Sequence, residues 1–399
     1  MHERRADDEP IDGVLSGVRI ADFSRVLAGP YATMMLADFG ADVVKIESPA
    51  GDDTRHWRPP VDARGQATYF GSVNRNKRSV VLDLTGAEGL AEARRLAASA
   101  DVVVENFRPG VMDRFGLSYD EVRASNPGVV YCSITGFGTG EGAALAGYDL
   151  LVQAVGGLMS ITGAADGEPA KAGVALVDVL TGQNAVAGIL LALRERDRTG
   201  LGQRVEVNLL QGLLSALTNQ AASTLATGAP PRRLGNAHPS IAPYAVFHAA
   251  DRELVIAVGN DKQFRALAAA LGVPALAGDP RFAGNVDRVA HRAELTAAIE
   301  ERLAAASAAH WVEALSAAGV PAGLVNDVAE AIAFGEALGL DPVAEIGAPD
   351  AANGDAVSRT VANPIGLSSS PAVYRTPPPA LGEHAGADWH QTPSKGPHR

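Results

Sequence analysis

Cysteine occurs once in this chain of 399 residues, at position 132. A lone thiol excludes an intrachain disulfide and a cysteine-rich structural zinc site. Cys132 lies in the apolar run VVYCSIT and reads as a small core residue. Long hydrophobic stretches are also missing. No run of about 18 uncharged apolar residues occurs, and the nearest, AVAGILLALRERDR, reaches charge too soon to span a bilayer. The opening decapeptide MHERRADDEP is charged and leads into no apolar core of signal-peptide length, so the expected location is the cytoplasm. Positive charge is scarce overall. A net charge of −12 argues against general binding to nucleic acid or to anionic membranes, while leaving room for a local basic pocket.

Several familiar catalytic signatures are absent too. RVLAGPYATMM has one glycine where a dinucleotide site needs G-x-G-x-x-G, although Glu47 stands where a ribose-binding acid would. No G-x-x-x-x-G-K-[ST] occurs, which removes a P-loop. The histidines are scattered without H-x-H, H-E-x-x-H or a nearby carboxylate cluster, so no metal site is expected, and His56, His248, His291 and His310 read as surface or packing residues. G-x-S-x-G is missing, and with it the nucleophile elbow of a serine hydrolase. No internal repeat is visible.

What is present describes a globular chain, 47% hydrophobic and 20% charged, long enough for two domains or one large domain with an insertion. Through residue 215, β-branched runs alternate with amphipathic helical patterns. Strands are predicted at 17–24, 42–47, 101–107 and 128–137, and helices at 30–40 and 87–99, with short helices in PGVMDRFG and SYDEVRAS. Such alternation predicts an α/β fold with a parallel sheet. Ligands of such sheets bind beyond the carboxyl ends of the strands, where DFSRVLAG, ENFRPG and TGFG fall. A helix follows over about 183–196, then the strand RVEVNLL and a long helix over 211–228. At 229 the texture changes to a loop-rich segment, a hairpin around Asp251 and Arg252, and alanine-rich helices. The expected division is therefore 1–228, a smaller α/β domain at 229–330, and a Pro/Gly/Ser-rich segment 331–399 that packs back on the first part.

Three stretches carry candidate chemistry. NRNKRS sets Arg75, Lys77 and Arg78 close together, as a solvated turn or as a cationic mouth for a phosphorylated ligand. ENFRPG places Arg108 after a strand, with Pro109 opening a helix and Arg114 one turn on. GVALVDVLTG sets Asp178 alone among apolar residues, where an unpaired carboxylate is costly. Asp178 could be an N-cap for the following helix, although Thr181 could cap as well, or a carboxylate nucleophile with glycines nearby. Local pattern leaves both readings open.

Taken together, LSGVRIADFSRVLAGPYATMMLADFGADVVKIESPAGDDTR, NRNKRSVVLDL, ADVVVENFRPGVMDRFGLSYDEV, GYDLLVQAVGGLMSITG, the Asp178 segment, TGLGQRVEV, GVPAGLVND and LGEH resemble the class III CoA-transferases. That family includes formyl-CoA:oxalate CoA-transferase, the carnitine-CoA transferases and, as a divergent branch, α-methylacyl-CoA racemase. The resemblance implies that Asp178 is the nucleophile. It implies a tyrosine thirty positions earlier, Tyr148, where the racemase branch has a histidine; an acyl-CoA racemase or epimerase is therefore the alternative. The implied CoA contacts are Val26, Leu27, Ala28, Leu82, Thr85, Asn106, Phe107, Arg108, Arg114 and Tyr148. Leu27 replaces a glutamine and Ser48 an arginine of the formyl-CoA enzyme. Its glycine-rich lid gives way to RLGNAHPSIAPY, which looks like the branch using C4–C6 dicarboxylates. The implied route runs from a short dicarboxylic acyl-CoA such as succinyl-CoA, through an aspartyl–acyl anhydride and an aspartyl-CoA thioester, to an acceptor acid. It uses coenzyme A as substrate and no tightly bound cofactor. Backbone N–H groups of Gly156 and Gly157 are candidates for the oxyanions, and His238 in loop 235–240 for the acceptor's second carboxylate. The implied fold is a Rossmann-like large domain built from both ends of the chain, a small domain, and an interlocked homodimer.

Overall fold

Six short apolar runs in the first 208 positions pair into one parallel sheet. β1 (Arg19–Asp22), β2 (Asp42–Glu47), β3 (Lys77–Val81), β4 (Val102–Glu105), β5 (Val130–Thr135) and β6 (Arg204–Asn208) lie in the order β3-β2-β1-β4-β5-β6. Every neighbouring pair is parallel. Strand order reverses between β1 and β4, the switch point at which loops diverge and leave a crevice. β2 and β4 are buried along their whole length, as expected of strands covered on both faces. The computed structural model describes residues 12–347 and 357–390, so the opening decapeptide lies outside the described residues. Contacts divide the chain into two units: residues 1–157, 172–222 and 341–399, and residues 158–171 and 223–340. The change of texture at 229 carries no sign that 158–171 belongs with the second unit.

In the first unit the helices are α1 (Ala28–Asp38), α2 (Ala87–Ser99), α3 (Val111–Arg114), α4 (Tyr119–Ser125), α5 (Asp149–Val155), α6 (Leu176–Thr199) and α7 (Leu209–Ala216). α2 has the predicted bounds. α1 starts two residues earlier than Pro30 suggests; at the third position a proline still lacks only an N–H that no helix would use. α6 starts seven residues before the predicted 183, so Asp178 and Thr181 both lie inside it. Thr181 donates its hydroxyl to Val177 O at 2.8 Å rather than capping. By length and composition α6 is apolar enough to cross a membrane. Here its buried face, Val177, Thr181, Gly182, Ala185, Ile189 and Ala192, packs on α1, β5 and β6. Gly182 makes that approach possible: a Cβ there would lie 2.7 Å from Ala28 O and 3.0 Å from Tyr31 Cδ1. The helix predicted over 211–228 is broken at Thr218, whose φ of 39° lies in the left-handed region.

The second unit holds an antiparallel sheet of β7 (Tyr244–His248), β8 (Glu253–Ala257) and β9 (Ala322–Leu324). Its core joins Phe247, Leu254 and Ile256 to Phe264 and Leu267 of α8 (Asp261–Ala270), Ile299 of α9 (Arg292–Leu303) and Trp311 of α10 (Ala308–Ala317).

NRNKRS forms neither a solvated turn nor a cationic mouth. Arg75 and Lys77 are buried in the first unit, and each cation has a carboxylate. The Arg75 guanidinium donates to both Asp38 oxygens, at 2.9 and 2.7 Å. Lys77 Nζ meets Asp22 at 3.1 Å, and Arg78 meets Asp42 at 2.6 Å. Residues 360–373 dock on the same cluster. Asn363 Nδ2 donates to Asp38 Oδ2 at 3.0 Å, Arg75 Nη1 donates to Thr360 Oγ1 at 2.9 Å, and Val373 N donates to Asp38 O at 2.8 Å. β10 (Val343–Ile346) and β11 (Ser358–Val361) form the antiparallel pair from which this segment runs.

Breaking one partner of a buried pair leaves the other charge uncompensated. Asp38→Ala should therefore lower unfolding free energy by about 3–5 kcal/mol in urea titrations, whereas truncating the exposed Arg198 should change it by less than about 1 kcal/mol.

Candidate active site

The loop after β1 is held from beneath by charge. Lys45, fully buried on β2, donates to Ser24 O at 2.8 Å and pairs with Asp52 at 2.9 Å. Burial works against its charge, but Asp52, Asp22 and Glu47 outweigh burial and hold Lys45 above the usual lysine range. Asp52 in turn accepts Val26 N at 3.3 Å. Val26 has φ 69°, a left-handed conformation that a β-branched residue enters only when its surroundings impose it. From the other side, Asn106 accepts Arg25 N at 2.8 Å and donates to Arg25 O at 2.7 Å. Glu47 is not available to a ribose. It accepts two bonds from Arg55 and one from Ser79.

Above this floor the loops after β1, β4 and β5 converge on one cavity. It is lined by Ala28, by Asn106 to Pro109, by Thr135 to Gly138, by Gly147 and by Asp178. Gly136 and Gly147 bring two of its walls together; a Cβ on Gly136 would fall 2.4 Å from Gly147 Cα. An adjoining cavity is lined by Arg25, Ser48, Leu82, Thr85, Phe107 and Phe115 among others. Phe107 borders both cavities, with the Arg25 guanidinium 5.2 Å from its ring centre. Val26 and Leu27 pack with Tyr69, Ala175 and Val179, the apolar wall beside Asp178.

Asp178 occupies the third position of α6 and is half-buried. It is not the N-cap. The cap position is Ala175, which offers no side-chain acceptor, and Asp149 serves instead. Asp149 Oδ2 accepts Val177 N at 2.7 Å and Asp178 N at 3.1 Å, while Oδ1 accepts Gln153 Nε2 at 2.5 Å. Among the described residues no hydrogen bond reaches the Asp178 carboxyl. Burial, and then the negative charge of Asp149, push its pKa up to about 7. The Tyr69 hydroxyl is pushed up to about 12 by burial and by the charges of Asp178 and Asp149. A carboxyl without internal donors, poised near neutrality and walled by apolar groups, can act as acid, base or nucleophile.

The structure thus brings together Asp178, Ala28, Asn106, Phe107 and Arg108, and beside them Val26, Leu27, Leu82 and Thr85. Four expected residues stand elsewhere. Arg114 is exposed at the end of α3, which opens at the left-handed Gly110 rather than at Pro109. Tyr148 is 69% exposed and outside the Asp178 cavity. The Gly156 N–H is already bonded to Val152 O at 2.8 Å, so it offers no free donor to an oxyanion. His238 belongs to the second unit, its Nδ1 accepting Ser240 N at 3.1 Å and its ring 5.3 Å from that of Tyr244. Asp149, Gln153 and Tyr69 were missed. Asp149 reads in sequence as an ordinary acidic residue opening a helix, and nothing local ties Tyr69 to position 178. Among the described residues no group of three or more His, Cys, Asp or Glu could hold a metal ion.

Residues 15–385 match the sequence model of CoA-transferase family III. A succinate–glutarate CoA-transferase of Agrobacterium fabrum is 46% identical over 377 residues, covering 93% of each chain. A mouse succinyl-CoA:glutarate CoA-transferase is 40% identical, over 93% of this chain and 84% of that one. A crystal structure of a CaiB/BaiF family protein from Brucella suis superposes with a TM-score of 0.83 at 44% identity, over 93% of this chain and 97% of that one.

The raised pKa of Asp178 has a cost in stability. Between the ordinary value of 3.8 and about 7 the folded chain binds a proton that the unfolded chain releases, so stability falls as pH rises through that window. Asp178→Asn should raise Tm in calorimetry above that window and leave it nearly unchanged below it.

Proposed function

The chain belongs to CoA-transferase family III, and on that footing we propose that it moves CoA from a short dicarboxylic acyl-CoA, such as succinyl-CoA, to a carboxylic acid acceptor. The convergence of three strand-end loops on the half-buried Asp178 carboxyl carries this reading. In its anionic form Asp178 attacks the thioester carbonyl carbon, the C–S bond breaks, and CoA leaves as thiolate with an aspartyl–acyl anhydride behind. The thiolate attacks the aspartyl carbonyl, releasing the donor acid and forming an aspartyl-CoA thioester. The acceptor carboxylate repeats these steps in reverse and departs as its CoA thioester. The anhydride conserves the thioester's energy, so the route needs neither ATP nor a tightly bound cofactor, but water must be kept out. The apolar wall of Val26, Leu27 and Val179 serves that need.

The adjoining cavity with Leu82, Thr85 and Phe107 takes the nucleotide end of CoA in this reading, and exposed Arg108 and Arg114 supply charge for its phosphates. The first unit is read as a large CoA-binding domain closed by the C-terminal segment, the second as the small domain, and the cytoplasm as the place of work. Exposed apolar residues Leu150, Leu151, Val155 and Leu191 support an interlocked homodimer, whose partner would cover them.

A panel of carboxylic acids incubated with succinyl-CoA or acetyl-CoA, read by product mass, tests the proposal. Succinyl-CoA with a C4–C6 dicarboxylate should give the fastest exchange. Asp178→Ala should lose at least about 1000-fold in kcat, and hydroxylamine with acyl-CoA should inactivate the parent by modifying Asp178. Exchange of deuterium into the acyl Cα without acceptor would instead favour a racemase and defeat the anhydride route. In kcat/KM the acid limb should have its midpoint near pH 7, activity rising as Asp178 ionises.

A further inference from the structure

The reading of Asp178 leaves a second carboxylate unexplained. Asp149 opens α5, 29 residues before Asp178, and its carboxylate accepts two of the amides that start α6. The 24-residue α6 begins at Leu176 behind Ala175, which gives it no side-chain cap of its own. Its second and third N–H groups are satisfied across space by one Asp149 oxygen, while the other is held by Gln153. Gln153 is 1% exposed, and its Oε1 accepts Ala172 N at 2.8 Å, so the loop leading into α6 is fastened to the same side chain. The clamp thus fixes both the height at which α6 starts and the direction in which its third residue projects.

We propose that Asp149 is a positioning residue for Asp178, setting the first turn of α6 through the Val177 and Asp178 amides and placing a fixed negative charge beside the attacking carboxylate. The assignment rests on Asp178 being the nucleophile. A negative neighbour makes the anion a stronger base and nucleophile, and disfavours it until substrate binds. No cation on α6 answers this charge at Asp178. The charged and titratable groups near it are Asp149 from α5 and Tyr69 from the one-turn helix Thr68–Gly71, with Arg108 of the β4–α3 loop lining the same cavity and Tyr31 of α1 lying against Gly182, one turn further along α6. An amide acceptor can replace the carboxylate as a cap but not as a charge. That difference separates positioning with charge from a purely structural cap.

The test compares Asp149→Asn with Asp149→Ala in the full-length protein. Hydrogen exchange of the Val177 and Asp178 amides, the pH profile of succinyl-CoA transfer, and the substrate-free titration of aspartate 13Cγ, assigned with Asp178→Asn, are the readouts. Asp149→Asn should keep both amides protected and KM for acyl-CoA within about twofold, while the acid limb and the Asp178 titration both move to lower pH. Asp149→Ala should lose the amide protection and at least about tenfold in kcat. Unmoved midpoints in Asp149→Asn would reduce Asp149 to a structural cap, and full kcat in Asp149→Ala would remove even that; either overturns the proposal. If Asp178→Asn keeps full transfer, the nucleophile reading fails instead, and the 13C titration still reports whether Asp149 acts on Asp178.

Discussion

The first unit rests on ion pairs buried under its sheet edge and loops. Four cations, Lys45, Arg55, Arg75 and Lys77, sit almost wholly inside the protein, each held by a carboxylate. Charges this deep are tolerated only when their geometry is filled, which makes them specific rather than merely stabilising. Their effect reaches the surface through one residue. Asp52 pairs with Lys45 below and accepts Val26 N above, so the left-handed turn of the first loop is dictated from the core. α1 follows directly from that loop, and its close passage over Gly182 seats α6.

Much of the sheet could be read from pattern alone, because fully buried parallel strands are continuous apolar runs bounded by glycine and polar residues. The start of α6 could not. Its first turn is satisfied by Asp149, 29 residues earlier, so a reading confined to neighbours places the helix at the next good cap and leaves Asp178 outside it. The same blindness applies to NRNKRS. Its cations look exposed because their carboxylates, Asp22, Asp38 and Asp42, come from other strands and helices. Resemblance named Asp178, Ala28 and Asn106 to Arg108 together, and the structure sets them around one cavity, since motif order survives where contacts are invisible. It could not see that the Gly156 N–H is spent within α5's last turn.

The chemistry and the fold pull in opposite directions at Asp178. Every feature that would suit the carboxyl to the proposed attack on a thioester, its burial, its missing hydrogen-bond donors and its acidic neighbour, makes the ionised form unwelcome in the folded chain. Asp149 lies at the centre of this tension. It stabilises α6 by capping it and destabilises the anion two residues into the helix. One side chain therefore couples a helix start to the state of the Asp178 carboxyl.

The Asp38 cluster also bears on synthesis. Arg75 and Asp38 meet early in the chain, yet their remaining partners, Thr360, Asn363 and Val373, lie some 285 to 335 residues later. The N-terminal half leaves the ribosome before those partners exist, so its edge must wait, incompletely satisfied, while the whole second unit is made. Contacts of such separation slow the last stage of folding and prolong the exposure of an unfinished sheet edge. The segment that carries Thr360, Asn363 and Val373 is in this sense a late-arriving seal on an edge laid down much earlier.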